Sequence, residues 1–194
     1  MKILQRCLQS GAVVFIIASS CFAGATRPGA VQPSPVYRLR LYETHRHQHI
    51  DIVYRRGDEY IPSALAKLNY FLRDHRNGDV HPYNPRVFDL LVRLSAAVGK
   101  PNGEIDVICG YRSPDTNHYL RVNTLGVAQH SLHMQAEAID IRMPGVNTYY
   151  LRETALRLHR GGVGYYPHSN FVHVDVGRVR QWCFECTVQK AASD

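Results

Sequence analysis

Asn170-Phe-Val-His173-Val-Asp175-Val-Gly177 alternates so regularly that it reads as a strand with two chemically different faces. Val172, Val174 and Val176 share one face, and His173 and Asp175 share the other. Upstream, Ser131-Leu-His133-Met-Gln-Ala136-Glu-Ala138-Ile-Asp140-Ile-Arg142 ends on the same pattern, with Ile139 and Ile141 inward and Ala138, Asp140 and Arg142 opposite them. Apolar faces bury, so two such strands lying side by side would present Asp140 and His173 on one shared face. His133 precedes Asp140 by seven residues. On one helix that is a rise of about 10 Å, too far for both to touch a single ion. A turn through Met134 to Glu137 would instead fold His133 back over the start of the strand. Histidine, aspartate and histidine, with a fourth position open for water, is how catalytic zinc is held. The same three residues read equally well as ordinary hydrogen-bonded polar groups.

Working outward, Val36 to Tyr42 and His49 to Tyr54 also alternate, which predicts a hairpin closed by Glu43 to Gln48. His45, His47 and His49 fall in or beside that loop, and without carboxylate or cysteine partners nearby they read as solvated polar sequence. Leu65, Leu68, Phe71 and Leu72 trace one helix, and Val87, Leu91, Leu94 and Val98 a second, entered by Asn84-Pro85 and stopped at Gly99. A third runs from Asn147 through Leu151, Ala155 and Leu158 to Gly161. Short strands are expected over residues 104–109, 138–142 and 171–176. The expected fold is α+β, a small, mainly antiparallel sheet packed with three to four helices.

The chain has 194 residues, 45% of them hydrophobic, which suits one domain and excludes wholesale disorder. Lys2 and Arg6, an apolar run from Gly11 to Ala18 and the small residues Ala23-Gly24-Ala25 describe a secretory signal over residues 1–25. The run is too short for a permanent membrane helix. Cys21 offers a rival reading as an acylated lipoprotein cysteine. Loss of Lys2 and Arg6 takes the formal charge from +7 to +5, a moderate surplus that suits an acidic polymer. Residues 26–48 read as a linker and the start of the hairpin, residues 49–182 as the main domain, and residues 183–194 as a tail. In an oxidising compartment, Cys183-Phe-Glu-Cys186 reads as a disulfide clip on that tail, with redox catalysis the less favoured alternative and Cys109 left as a buried apolar side chain.

Several chemistries are excluded. No histidine is followed by glutamate, so H-E-x-x-H is missing; Gly99-Lys100 runs into Pro101, so no P-loop forms; and G-x-S-x-G does not occur. A zinc deaminase would need proline before its C-x-x-C, where Trp182 stands.

Ser131 to Asp140 resembles the S-x-H-x-x-G-x-A-x-D motif of the zinc D-Ala-D-Ala metallopeptidases, relatives of lysostaphin-type murein hydrolases. Gly162 to Pro167, Phe171 to Gly177 and Val179 to Trp182 are similar to the C-terminal motif of the murein endopeptidase K subgroup, and Gly110-Tyr-Arg-Ser113 to a strand-end motif of the family. Leu65 to Asn69 and Phe71 to Asp74 carry the likeness upstream, so that it covers roughly residues 50 to 182. The resemblance implies Zn2+ held by His133, Asp140 and His173, with Arg112 binding substrate or the developing oxyanion. It implies hydrolysis of murein stem peptides or cross-links by a zinc-activated water. Asp175 is then the expected general base or the carboxylate that steers His173, and His168 competes for proton transfer. The family's glycine is Ala136 here, which costs something if that position needs φ > 0. A wall-binding module that keeps the fold and metal but does not cut is the alternative. The expected protein is a periplasmic or envelope monomer, with no nucleic-acid partner and no membrane-spanning helix.

Overall fold

The two strands read first lie antiparallel and adjacent, as β5 (Ala138–Arg142) and β7 (Phe171–Asp175), at the centre of an eight-stranded sheet. The computed structural model describes residues 34–184 and 186. The proposed leader, Cys21 and most of the linker lie outside those residues. Before the central pair come β1 (Val36–Glu43), β2 (Gln48–Arg56), β3 (Glu59–Tyr60) and β4 (Glu104–Cys109), and around it β6 (Gly162–Tyr166) and β8 (Arg180–Cys183). The order across the sheet is β3-β2-β1-β4-β5-β7-β6-β8. Pairing is antiparallel except between β1 and β4 and between β6 and β8.

Four helices accompany the sheet: α1 (Pro62–Phe71), α2 (Arg86–Ala97), α3 (Pro114–Asn123) and α4 (Thr148–Leu158). Leu39, Leu41, Ile105, Val107, Ile139, Ile141, Val172 and Val174 form one core with Leu68 of α1, Leu91 and Leu94 of α2 and Leu151 of α4. Each such aliphatic side chain contributes about 1.5–3 kcal/mol by leaving water. Asn147 caps α4 by accepting from the amides of Tyr149 and Tyr150 at 2.9 and 3.2 Å, so the helix starts where its sequence says.

The α+β class stands, and the expectation of a small sheet is corrected. The 36–54 hairpin does not stand apart; β1 pairs in parallel with β4 and extends the central strands by three. At the other side β6 and β8 escape notice because their residues do not alternate. Gly164 interrupts β6 where the indole of Trp182 lies against the backbone, leaving no room for a side chain. α3 was also unforeseen, because it buries only Thr116 and Asn117 and so carries no apolar stripe. Its signal is local instead: Ser113 caps it, accepting from Thr116 N at 3.1 Å, and Pro114 opens it.

Candidate metal centre and active-site cleft

Register brings the first two candidates together. Asp140 on β5 stands directly opposite His173 on β7, and both are buried on the face away from the valines. His133 arrives from a single 3-10 turn, Leu132–Gln135, whose start is capped by Ser131 Oγ accepting from His133 N at 3.3 Å. The chain then reverses through Ala136, at φ +50° and ψ +40°, and enters β5. This is the left-handed region, where a Cβ is strained and glycine is not. The fold over the strand therefore forms, and it forms with alanine in a glycine's conformation.

The three donor atoms converge. His133 Nε2, His173 Nδ1 and Asp140 Oδ1 lie 2.9 to 3.2 Å from one another. The edge of a tetrahedron with arms of about 2.0 Å is about 3.3 Å, so the spacing suits one small divalent ion. The outer nitrogens fix which lone pairs face inward. His133 Nδ1–H donates to Gly110 O at 2.8 Å, and His173 Nε2–H donates to Asp175 Oδ2 at 3.2 Å. With both outer nitrogens protonated, two ring lone pairs and a carboxylate oxygen point at one place, and only a cation relieves that. A proton serves when no metal is present. Burial alone would lower the His133 pKa, but the negative charge of the Asp140 carboxylate and of the Cys109 sulfur outweighs it and holds the imidazole up to about 10. Against its own burial, Asp140 is held well below the usual carboxylate range by His133 and His173.

Asp175 is saturated. Oδ1 accepts from the amides of Gly162 and Gly177 at 2.8 and 2.9 Å and from Arg180 at 3.2 Å; Oδ2 accepts from Arg180 at 2.7 Å besides His173. Burial works against its charge, yet these bonds depress its pKa far below the ordinary value. Asp175 is fully buried and does not line the cleft.

The cleft over the donors measures about 640 Å³ and is walled by Arg112, residues 123–128, His130, Tyr166, Trp182 and Phe184. Arg112 donates to Asn117 Oδ1 at 3.3 Å and Cys109 Sγ at 3.5 Å, and among the described residues no carboxylate lies in ion-pairing distance of it. His168 sits exposed in the β6–β7 turn and is not among the lining residues. Arg180 and His130, passed over in the sequence, also belong here, and the reading of Cys109 as a buried apolar side chain is corrected, since its sulfur accepts from Arg112 beside the donors. Cys109 stands opposite Asp140 across β4 and β5, with its sulfur within 4.8 Å of the His133 and Asp140 donors. Arg180 braces Asp175, and His130 lines the cleft. Alternation with Ile105 and Val107 would put Cys109 on the core face, and the register shift between Val107 and Cys109 turns it to the Asp140 face instead; Arg180 and His130 carry no periodic signal.

Donor atoms of Glu43, His45 and His75 also come within 4.8 Å of one another. The His45 and His75 rings, however, stack at 3.9 Å and 9°, so their lone pairs lie in near-parallel planes. His45 Nε2 already donates to Ile108 O at 3.0 Å, while the Glu43 carboxylate accepts from the amides of His45 and Arg46. His47 and His49 turn away to Tyr42 and Glu104. His133, Asp140 and His173 have lone pairs that share a focus, with the Cys109 sulfur within 4.8 Å of two of them.

A buried His-Asp-His focus on a sheet, open on one side to a cleft, is the kind of site found in mononuclear metallohydrolases. Comparison with known proteins places the chain in a family. Residues 32–182 match the Peptidase_M15_2 family, described as peptidoglycan L,D-endopeptidase MepK, and the chain belongs to that family. It is 46% identical over 123 residues to the probable peptidoglycan L,D-endopeptidase MepK of Haemophilus influenzae, covering 63% of this chain and 66% of that protein. It is 39% identical over 170 residues to the peptidoglycan L,D-endopeptidase MepK of Escherichia coli K12, covering 82% of this chain and 92% of that protein. No solved structure matches. Among the described residues, no helix is long and apolar enough to cross a membrane.

Proposed function

We propose that this chain is an exported zinc L,D-endopeptidase that cuts peptide bonds in peptidoglycan, with His133, Asp140 and His173 as the metal ligands. The observation that carries the reading is the meeting of three inward lone pairs at 2.9 to 3.2 Å in a chain of this family. The relatives' names supply the bond class, and the leader-like residues 1–25 supply export to where that polymer lies. When bound, zinc would polarise the scissile carbonyl and lower the pKa of water.

The protein's own residues do the rest. Gly110 O and Asp175 hold the two imidazoles in the tautomers that keep their lone pairs inward. Asp175, saturated and walled off from the cleft, serves as a positioning residue for His173 and not as the base. Arg112, charged and unpaired with any acid on the cleft wall, receives a substrate carboxylate or the developing oxyanion. His130 on the cleft wall is better placed to exchange a proton with substrate than His168 on the exposed turn. Incubation of residues 26–194 with murein sacculi, with and without a chelator and with zinc restored, tests the proposal. Mass analysis is expected to show soluble peptides cut at an L,D bond, suppressed by the chelator and recovered with zinc. No release under any metal supplement would sink the reading.

A further inference from the structure

The family match ends at residue 182, and Cys183, Phe184 and Cys186 beyond it have contacts of their own. β8 pairs with β6 up to Cys183, opposite Tyr165, and Phe184 N prolongs the pairing by donating to Tyr165 O at 3.3 Å. Cys183 is also joined to Cys186 in a disulfide. A single apolar residue beyond the end of an edge strand would ordinarily fray. The cross-link removes that freedom. Phe184 is thereby held with its ring packed on Gly126, in the segment between α3 and the 3-10 turn, on the other wall of the cleft. The fit is close enough that a methyl group at Gly126 would collide with the edge of the ring, and the φ of +80° there suits glycine in its own right. The other face of the aromatic wall is built from Tyr166, 6.1 Å from Phe184, and from Trp182, which donates to Tyr166 Oη at 3.1 Å and lies 5.0 Å from the His173 ring.

We propose that Phe184, pinned on Gly126 by the Cys183–Cys186 disulfide, is the end wall of the peptide-binding cleft and sets how far a substrate extends past the metal centre. The inference rests on the peptidase reading above. The disulfide acts through Phe184: it fixes the ring across the gap between the β8 edge and the 123–128 segment, and an unpinned tail leaves that end open.

The test compares wild type, Phe184→Ala, Cys183→Ser/Cys186→Ser and the triple variant on two soluble stem peptides, one of them longer by two residues at the end facing Phe184. Opening the wall is expected to raise the KM of the short peptide about fivefold with kcat within about twofold, the signature of lost uniform binding. The long peptide should gain in kcat/KM relative to the short one. The disulfide variant should behave like Phe184→Ala, and the triple variant no worse than either, since both changes remove one wall. Unchanged KM and unchanged length preference in Phe184→Ala overturn the proposal, and so do additive effects in the triple variant. Trp182 is the chain's single tryptophan and lines the same cleft, so its fluorescence reports peptide binding without turnover. Should wild type cut neither peptide, the peptidase reading fails by itself. An unchanged ratio of the two Kd values in Phe184→Ala would still overturn the end wall, and a shifted ratio would still uphold it.

Discussion

Replacing Asp175 by asparagine separates positioning from proton transfer. The asparagine keeps the shape and one carbonyl oxygen, which can still accept from Gly162 N and Gly177 N. Its amide nitrogen then stands where Oδ2 did, facing the Arg180 guanidinium at 2.7 Å and His173 Nε2 at 3.2 Å, so donors meet donors. Two charge-assisted bonds are lost, each worth about 1.5–3 kcal/mol. Arg180 is 40% exposed at its side chain and can turn to water, which puts the total near the lower end, at about 3 kcal/mol. For a chain of this size that lowers Tm by about 6–12 °C. With no acceptor for Nε2–H, His173 is free to take the other tautomer, which places a proton on the nitrogen that faces Asp140 and His133. Zinc affinity should therefore fall about 10- to 100-fold, as when an outer hydrogen-bond partner of a metal ligand is removed. Thermal scans of the metal-free protein and chelator competition for zinc read the two effects separately. If Asp175→Asn keeps its zinc affinity and its Tm but loses kcat, the carboxylate is moving protons and the positioning argument is wrong.

The metal centre makes a further claim on protons. In the metal-free protein His133 holds its proton up to about pH 10, so zinc entering at pH 7 must expel about one proton, and the release should fade as pH rises past that value. Calorimetry in buffers of different ionisation enthalpy measures it. At Ala136, glycine would relieve about 1 kcal/mol of left-handed strain but give up a buried methyl worth about 0.8 kcal/mol and add unfolded-state entropy. Ala136→Gly should thus change urea stability by less than about 1 kcal/mol, whereas Ala136→Val, branched and without space, should cost more than about 2 kcal/mol. His75 is depressed to about 4, first by burial and then by His45. The unfolded chain takes up that proton near pH 6.5 and the folded one does not, so the contribution is complete above pH 6.5 and disappears as pH falls through 4. Allowing for solvent screening of a half-exposed ring, it amounts to about 1 kcal/mol. Between pH 7 and pH 4.5 wild type should lose about 1 kcal/mol more urea-derived stability than His75→Gln, which has no proton to take up.

What could be read from the chain follows from what its local chemistry records. The alternation of Val172, Val174 and Val176 with His173 and Asp175 is written into one segment, so the chemical face of β7 was visible before any partner was known. The three helices with apolar stripes were visible for the same reason. Ala136 was legible as a problem only through the motif resemblance, and its φ of +50° shows the problem to be real. What stayed hidden depends on pairs of distant segments. Gly164 makes sense only with Trp182 against it, Cys109 only with Asp140 across the ladder, and Phe184 only with Gly126 on the opposite wall. None of these leaves a period in the sequence, because one member of each pair is chosen by the shape of the other. The asymmetry has a functional corollary. The donors sit on strands and a capped turn, whose geometry is dictated locally. Much of the cleft wall comes from residues 123–128, His130 and Phe184, which nothing local dictates. Substitutions in those walls should therefore shift which peptides are taken while leaving the His133, Asp140 and His173 focus in place.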